Sequence, residues 1–167
     1  MIAGIESTLV MLRSRLEAGI EVRRSYPAGR PRIEAFGSEL NQVWTNLIVN
    51  AADAMEGRGV LEIAVRRDPP ADHERPSGAE HTSGAERPVT PGVRVEICDS
   101  GPGIPDDVRA RIFEPFFTTK DVGAGSGLGL HIVRSIIDRH AGGIDVTSNP
   151  GRTCFAVTLP GRVPPGS

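Results

Sequence analysis

The sequence predicts an α+β domain, and three observations carry that reading. Apolar residues recur at helical spacing over residues 5–17, 38–56 and 127–140; they alternate with polar ones over five shorter stretches; and glycine or proline marks most of the joins. At 167 residues the chain has room for one domain with a core, read as residues 1–160 followed by a loose tail at 161–167.

Bulk composition excludes several classes of function. A formal net charge of -2 gives no basic field for nucleic acid or anionic lipid. No apolar run approaches the ~20 residues a membrane helix needs, and the first residues lack a signal-peptide pattern. The expectation is a soluble, cytoplasmic domain without direct membrane contact. Cys98 and Cys154 lie far apart in strand-like segments with no Cys or His at metal spacing, so both read as small buried residues, a usage that suits a reducing compartment. Lys120 is the only lysine.

Taken in order, Ile5, Leu9, Leu12 and Leu16 share one side of a first helix over residues 5–17, which Gly19 ends. Ile20 and Val22 alternate with Glu21 and Arg23 in a short strand before Pro27, Gly29 and Pro31 break the pattern. The long helix over 38–56 takes Ser38 as its expected cap and places Leu40, Val43, Trp44, Leu47, Ile48, Ala51 and Met55 on its apolar side. That side spans roughly 140°, and Asn46, Asn50 and Asp53 cluster within about 60° of one another off its edge. A solvated face is the bland explanation of such a stripe. Solvated faces usually carry Lys, Glu and Arg, however, and Asn and Asp are poor helix formers, so the stripe points to a bound group.

Gly57 and Gly59 close this helix, and Leu61, Ile63 and Val65 then alternate with polar or small residues in a strand with one buried face. Residues 68–92 turn to Pro, Gly, Ser, His and Glu, with S-G-A-E at 77–80 and again at 83–86, which predicts a disordered hairpin insertion. Its His73 and His81 are not read as ligands. Val93, Val95 and Ile97 resume the alternation, and parity puts Asp99 on their core-facing side. A carboxylate there must find donors. The G-P-G turn that follows opens space for a bound group offering an N–H; the alternative is that Asp99 caps the turn, or the helix beginning near Pro105.

Phe113, Phe116 and Phe117 concentrate much of the chain's aromatic material, and Pro115 limits this segment to a short turn whose rings anchor one end of a loop. The loop, residues 118–126, has few apolar anchors and several glycines nearby, which suits a mobile lid. Gly127 opens the next helix, running to His140 with Ile132, Val133, Ile136 and Ile137 in the core. A glycine-preceded helix N-terminus gathers free N–H groups and positive dipole, so it suits a phosphate. His131 and His140 read as surface or end-cap residues. Two strands, 144–148 and 153–159, joined by Asn149, Pro150 and Gly151, complete the domain.

Four segments in this order, N-L-I-V-N-A-A-D-A-M (46–55), D-S-G-P-G-I (99–104), F-E-P-F-F-T-T-K (113–120) and G-S-G-L-G-L (125–130), resemble the N box, first glycine box, F box and second glycine box of sensor histidine kinases. These belong to the GHKL superfamily, with gyrase, the ninety-kilodalton chaperone and the mismatch-repair ATPases; P-F-F-T-T-K most resembles the nitrogen-regulation type. The resemblance implies a two-layer sandwich, a mixed five-stranded sheet with three main helices on one face. It also implies ATP and Mg²⁺. Asn50 would hold the metal with Asn46 beside it, both at the catalytic centre, and Asp99 would accept from the adenine amino group. Gly101 and Gly103 would let backbone pass close to the base. Gly125, Gly127 and Gly129 would cradle phosphate, with Lys120 adding a charge from the lid. Asp53, Ile104, Phe117, Thr118, Thr119, Ser126 and Leu128 complete the implied nucleotide site.

The departures refine this. None of the four histidines stands in a phosphoacceptor context, so the acceptor is expected on a dimerisation domain outside this chain, with a response regulator receiving the phosphoryl group next. Asp53 stands where many sensor kinases have a basic residue, which is closer to the ATPase branches. Those branches, however, carry a water-activating Glu one turn before the metal-binding asparagine, and here that residue is Asn46. The rivals are a stand-alone GHKL ATPase or serine protein kinase, and a nucleotide-sensing module without transfer activity.

Overall fold

The computed structural model describes residues 1–17, 19–27, 36–68, 92–119 and 126–161. Lys120, Gly125, most of the expected lid, the interior of the expected insertion with its two histidines, and the tail from 162 lie outside them.

Five strands form one sheet in the order β1-β2-β3-β5-β4: β1 (Ile20–Ser25), β2 (Gly59–Asp68), β3 (Gly92–Asp99), β4 (Gly143–Asn149) and β5 (Arg152–Leu159). Only β1 and β2 are parallel, and a parallel pair needs a crossover; α3 (Gly37–Ala54) supplies it. Every other neighbouring pair is antiparallel, so the sheet is mixed, as expected. The ladder of β2 and β3 runs out to Asp68 opposite Gly92, and the residues between them, where the disordered hairpin insertion was expected, lie outside the described residues.

Sequence alternation sets which side of the sheet is covered. Leu61, Ile63 and Val65 of β2, Val93, Val95 and Ile97 of β3, and Phe155, Val157 and Leu159 of β5 are all buried against the helices. The three main helices are α1 (Ile2–Met11), α3 and α5 (Gly129–Arg139), with α4 (Asp106–Arg109) a single turn after the glycine loop. From α3, Val43, Trp44, Leu47 and Ile48 are fully buried, and Val133, Ile136 and Ile137 join them from α5.

Several boundaries differ from expectation. The first helix starts at Ile2 and breaks at Leu12 into α1 and the short α2 (Arg13–Leu16). Helix α3 starts at Gly37 with Phe36 at its cap position, so Ser38 lies in the first turn and caps nothing. The end of α5 helps there: the buried His140 ring accepts the Phe36 N–H at 3.3 Å through Nε2 and lies 2.8 Å from the Ile136 carbonyl through Nδ1. His140 is thus an end-cap residue, and not a surface one. Helix α5 opens at Gly129, two residues later than read, because Gly127 takes a φ of 66° that no helix allows. Ile132 packs at the edge of the core and is only half-buried.

The cysteines require the largest correction. Cys98 and Cys154 are directly opposed in the β3–β5 ladder and form a disulfide, with Cα atoms 4.0 Å apart across a sequence separation of 56. They are not separate buried thiols. Each strand's alternation is legible alone, but the register that places these two side by side is set by long-range pairing. The free-thiol argument for a reducing compartment loses its basis.

Gly103 shows how tightly the sheet end is built. Its φ is 92°, and a Cβ there would come within 2.5 Å of the Asn149 carbonyl oxygen in the β4–β5 turn. Gly143, by contrast, has open space at that position. Gly103→Ala is expected to destabilise the domain by about 1–3 kcal/mol in urea unfolding, while Gly143→Ala stays within about 0.5 kcal/mol of the parent.

Candidate nucleotide-binding site

The site begins where β3 ends. Asp99 follows Val93, Val95 and Ile97 on the buried row and is only 4% exposed. Its Oδ1 accepts the Gly101 N–H at 2.9 Å. Among the described residues Oδ2 takes no hydrogen bond. Burial pushes the carboxyl above its ordinary range, and the Gly101 donor and the nearby Arg152 charge oppose that shift without cancelling it. The two sequence readings of Asp99 were a turn cap and a ligand-facing carboxylate. The first is realised by one oxygen, Oδ1.

The loop after Asp99 is held on both sides. Ser100 donates its N–H to the Val60 carbonyl at 3.2 Å, and its hydroxyl accepts the Val60 N–H at 2.9 Å. Four residues on, the Ile104 N–H donates to the Ser148 hydroxyl at 2.7 Å, and Ser148 lies 2.9 Å from the Thr153 hydroxyl. A Cβ on Gly101 would meet the Asp99 carboxylate at 2.8 Å and the Ala54 carbonyl at 3.1 Å. The space a side chain would need at Gly101 and Gly103 is therefore taken by this chain's own atoms, the Asp99 carboxylate and Ala54 backbone at the first and the Asn149 backbone at the second.

Helix α3 brings its polar stripe to the same end. Asn46, Asn50 and Asp53 are all half-buried. The Asn46 amide donates to the Gly129 carbonyl at 3.3 Å, which ties the stripe to the first residue of α5. Asp53 lies 3.7 Å from the Arg15 guanidinium of α2. Asn50 is one turn from each along the helix.

At the mouth of α5, Leu128 holds the cap position without a side-chain cap bond, and its own N–H donates to the Ser126 hydroxyl at 3.3 Å. The first amides of the helix, from Gly129 onward, have no intrahelical acceptor. Gly127 packs against the backbone of Phe116, itself at a φ of 65°. Phe113 and Phe117 pack on the core edge, with Arg134 5.4 Å and Arg111 4.4 Å from their respective ring centres. Phe116 departs from expectation: it is 74% exposed and anchors nothing. Thr118 and Thr119 are exposed, and Ile104 is half-buried.

The structure thus gathers Asp99, Gly101, Gly103 and Ile104 in one loop, Asn46 against Gly129, and Gly127 against the phenylalanine turn. Sequence reading missed Arg152, whose charge acts on Asp99, and the buried Ser148 and Thr153 that fix Ile104. Their side chains gain meaning only once the β4–β5 hairpin is paired with β3, though a buried Ser and Thr flanking a tight turn are a faint signal. His131 also reaches the phenylalanine turn, its Nδ1 3.4 Å from the Phe113 carbonyl.

Comparisons with known proteins agree with this arrangement. Residues 37–163 match the family described as histidine kinase-, DNA gyrase B- and HSP90-like ATPase. The sensory histidine kinase/phosphatase NtrB of Rhodobacter capsulatus is 36% identical over 157 residues, covering 90% of this chain and 41% of that protein. This chain therefore spans less than half the length of that relative. The solved catalytic domain of histidine kinase ThkA superposes with a TM-score of 0.75 at 29% identity, over 97% of this chain and 93% of that one. Full-length ShkA, solved in complex with AMPPNP, gives a TM-score of 0.73 at 26% identity, covering 95% of this chain and 29% of that one. With the mixed sheet, the helices on one face and the described parts of the four motifs gathered at one end of it, the chain belongs to the histidine kinase-, DNA gyrase B- and HSP90-like ATPase family, as a domain of the sensor histidine kinase catalytic type.

Proposed function

We propose that this domain binds Mg-ATP and presents its γ-phosphate to a histidine on a helical dimerisation domain outside the chain, from which the phosphoryl group passes to a response regulator. The observation that carries the reading is the buried Asp99 carboxylate with one oxygen satisfied by Gly101 and the other open. A purine amino group is a donor suited to that open oxygen. Ser100 and Ile104, pinned to Val60 of β2 and Ser148 of β4, keep the base slot rigid before any ligand arrives. The uncapped start of α5 offers amides and positive dipole to phosphate oxygens. Asn46 holds that start against α3 and so sets the distance from base slot to phosphate.

Mg²⁺ suits this set of donors. Among the described residues no three His, Cys, Asp or Glu side chains form a metal group, while Asn50 presents an amide oxygen on the stripe, and Mg²⁺ commonly takes few protein ligands beside phosphate and water. When bound it would neutralise phosphate charge, which is much of what phosphoryl transfer asks of an enzyme. Asn46 has no basic side chain to deprotonate water, so a nucleophile from elsewhere is the favoured acceptor. Lys120 and Gly125 belong to the same proposal from outside the described residues, as do Thr118, Thr119 and Phe117 at the near end of the lid. AMPPNP in the ShkA complex is an ATP-like ligand on a related fold and supports the nucleotide class. A cytoplasmic setting belongs to this reading, and among the described residues no helix is long and apolar enough to cross a membrane.

The deciding experiment adds radiolabelled Mg-ATP to this domain alone and then with the histidine-bearing segment of its full-length chain. Acid-labile label on the added segment, and none on the domain alone, is the expected result. An intact chain that binds ATP yet never labels on histidine would sink the kinase reading. In calorimetry with Mg-AMPPNP, Asp99→Asn is expected to weaken binding about tenfold or more, because its amide sets a donor against the base's donor. Asn50→Ala should instead remove the metal-dependent part of the affinity and leave binding in chelator unchanged.

Asp99 also predicts a pH dependence with a definite sign. Its folded carboxyl titrates above the unfolded one, so in the window between them the folded state holds more protons and stability falls as pH rises. This contribution is complete below the ordinary carboxylate range and lost above the raised value. Urea unfolding of the nucleotide-free domain should show that decline, and Asp99→Asn should abolish it and be the more stable protein at neutral pH.

A further inference from the structure

The Cys98–Cys154 pair lies outside everything the nucleotide chemistry uses, yet it is one residue from that chemistry on both strands. The two side chains are directly opposed across β3 and β5, on the face of the sheet away from the helices. Their chain neighbours Asp99 and Thr153, also directly opposed, point the other way, into the site. Two short paths therefore lead from the sulfurs to the base slot. One runs from Cys98 through Asp99 to the Gly101 amide; the second runs from Cys154 through Thr153 and Ser148 to the Ile104 amide. Cys98 is 7% exposed, whereas Cys154 is only half-buried and is the more accessible of the two.

We infer that Cys98 and Cys154 form a reversible two-electron redox site that controls the order of the loop from Asp99 to Ile104. The oxidant class is a hydroperoxide. The Cys154 sulfur attacks the peroxide, forming an S–O bond as the O–O bond breaks, and one water leaves. The Cys98 sulfur then displaces the second oxygen, forming the S–S bond as the S–O bond breaks, and a second water leaves. Two thiols have lost two electrons and two protons, and one hydrogen peroxide has become two waters. A dithiol reductant reverses the change by exchange through a mixed disulfide. In a reducing compartment such a pair rests as thiols and closes only while oxidant is present, the usual behaviour of sensing disulfides there.

Closing the bond ties the end of β3 to β5 at the residue before Asp99. The loop is then ordered in advance, and the oxidised domain binds nucleotide more tightly, by roughly threefold or more. That last consequence rests on the nucleotide reading; the ordering of the loop does not.

The test uses the whole chain, reduced with dithiothreitol and then given equimolar hydrogen peroxide. Thiol count and intact mass report the bond, hydrogen exchange reports the Gly101 and Ile104 amides, and calorimetry reports Mg-AMPPNP. The expected result is loss of both thiols with two hydrogen masses, restored by dithiothreitol, with exchange of those amides slowed several-fold and nucleotide affinity raised in the oxidised form only. Cys98→Ser and Cys154→Ser should each abolish the peroxide effect on exchange. Thiols that survive peroxide, single sulfurs driven to sulfinic acid without a crosslink, or a crosslink that leaves the loop amides unchanged would each overturn the inference. A crosslink that slows exchange in a chain that binds no nucleotide in either state would uphold it and remove the nucleotide reading instead.

Discussion

The burial of Asp99 is the constraint around which the functional end of this domain is arranged. Val93, Val95 and Ile97 commit β3 to one face, and the next residue on that face is a carboxylate carried to 4% exposure. Desolvation makes its charge costly, and a single backbone donor from Gly101 offsets only part of that. A strand that merely needed to end would place a small or apolar residue there. An acceptor left unspent at the end of a core-facing row is a local conflict of the kind functional sites carry, and the proposed adenine contact would complete it.

Rigidity around that carboxylate follows from pieces that do not touch a ligand at all. Ser100 is bonded twice to Val60, and Ile104 hangs from Ser148, itself paired with Thr153. Gly101 and Gly103 are glycine because Ala54 and Asn149 occupy the space a side chain would need. The family resemblance explains them by the approach of a base, and the packing explains them before any base is present. Across the site, the Asn46–Gly129 hydrogen bond ties the crossover helix to the start of α5, and Glu39–Arg139 and the shared core hold the two helices together further along. The Asp99 loop and the start of α5 thus belong to different layers of the sandwich, joined through α3.

Much of this was legible in the sequence because short-range periodicity encodes it. The apolar side of α3, the alternation of β2 and β3 and the parity that buries Asp99 need only residues within one element, and all three hold in the structure. Boundaries were less legible, since competing local geometry decides them: Leu12 breaks the first helix, and the left-handed Gly127 delays α5. Phe116 was misread because an aromatic residue in an apolar cluster is ordinarily buried, and only the turn geometry turns its ring outward.

By itself, the sequence determined the class of fold, the faces of its main elements, the polar stripe on α3 and a buried carboxylate facing a glycine turn. These are properties of a repeat of two or 3.6 residues and of single-residue conformational limits. Tertiary structure alone decided which strands are neighbours and in what register. From that came the opposition of Cys98 and Cys154, the Arg152 charge acting on Asp99, and the placing of Thr153, with its hairpin partner Ser148, opposite Asp99 and beneath Ile104. Register between strands separated by dozens of residues is fixed by the packing of the whole sheet against its helices, and no local pattern carries it.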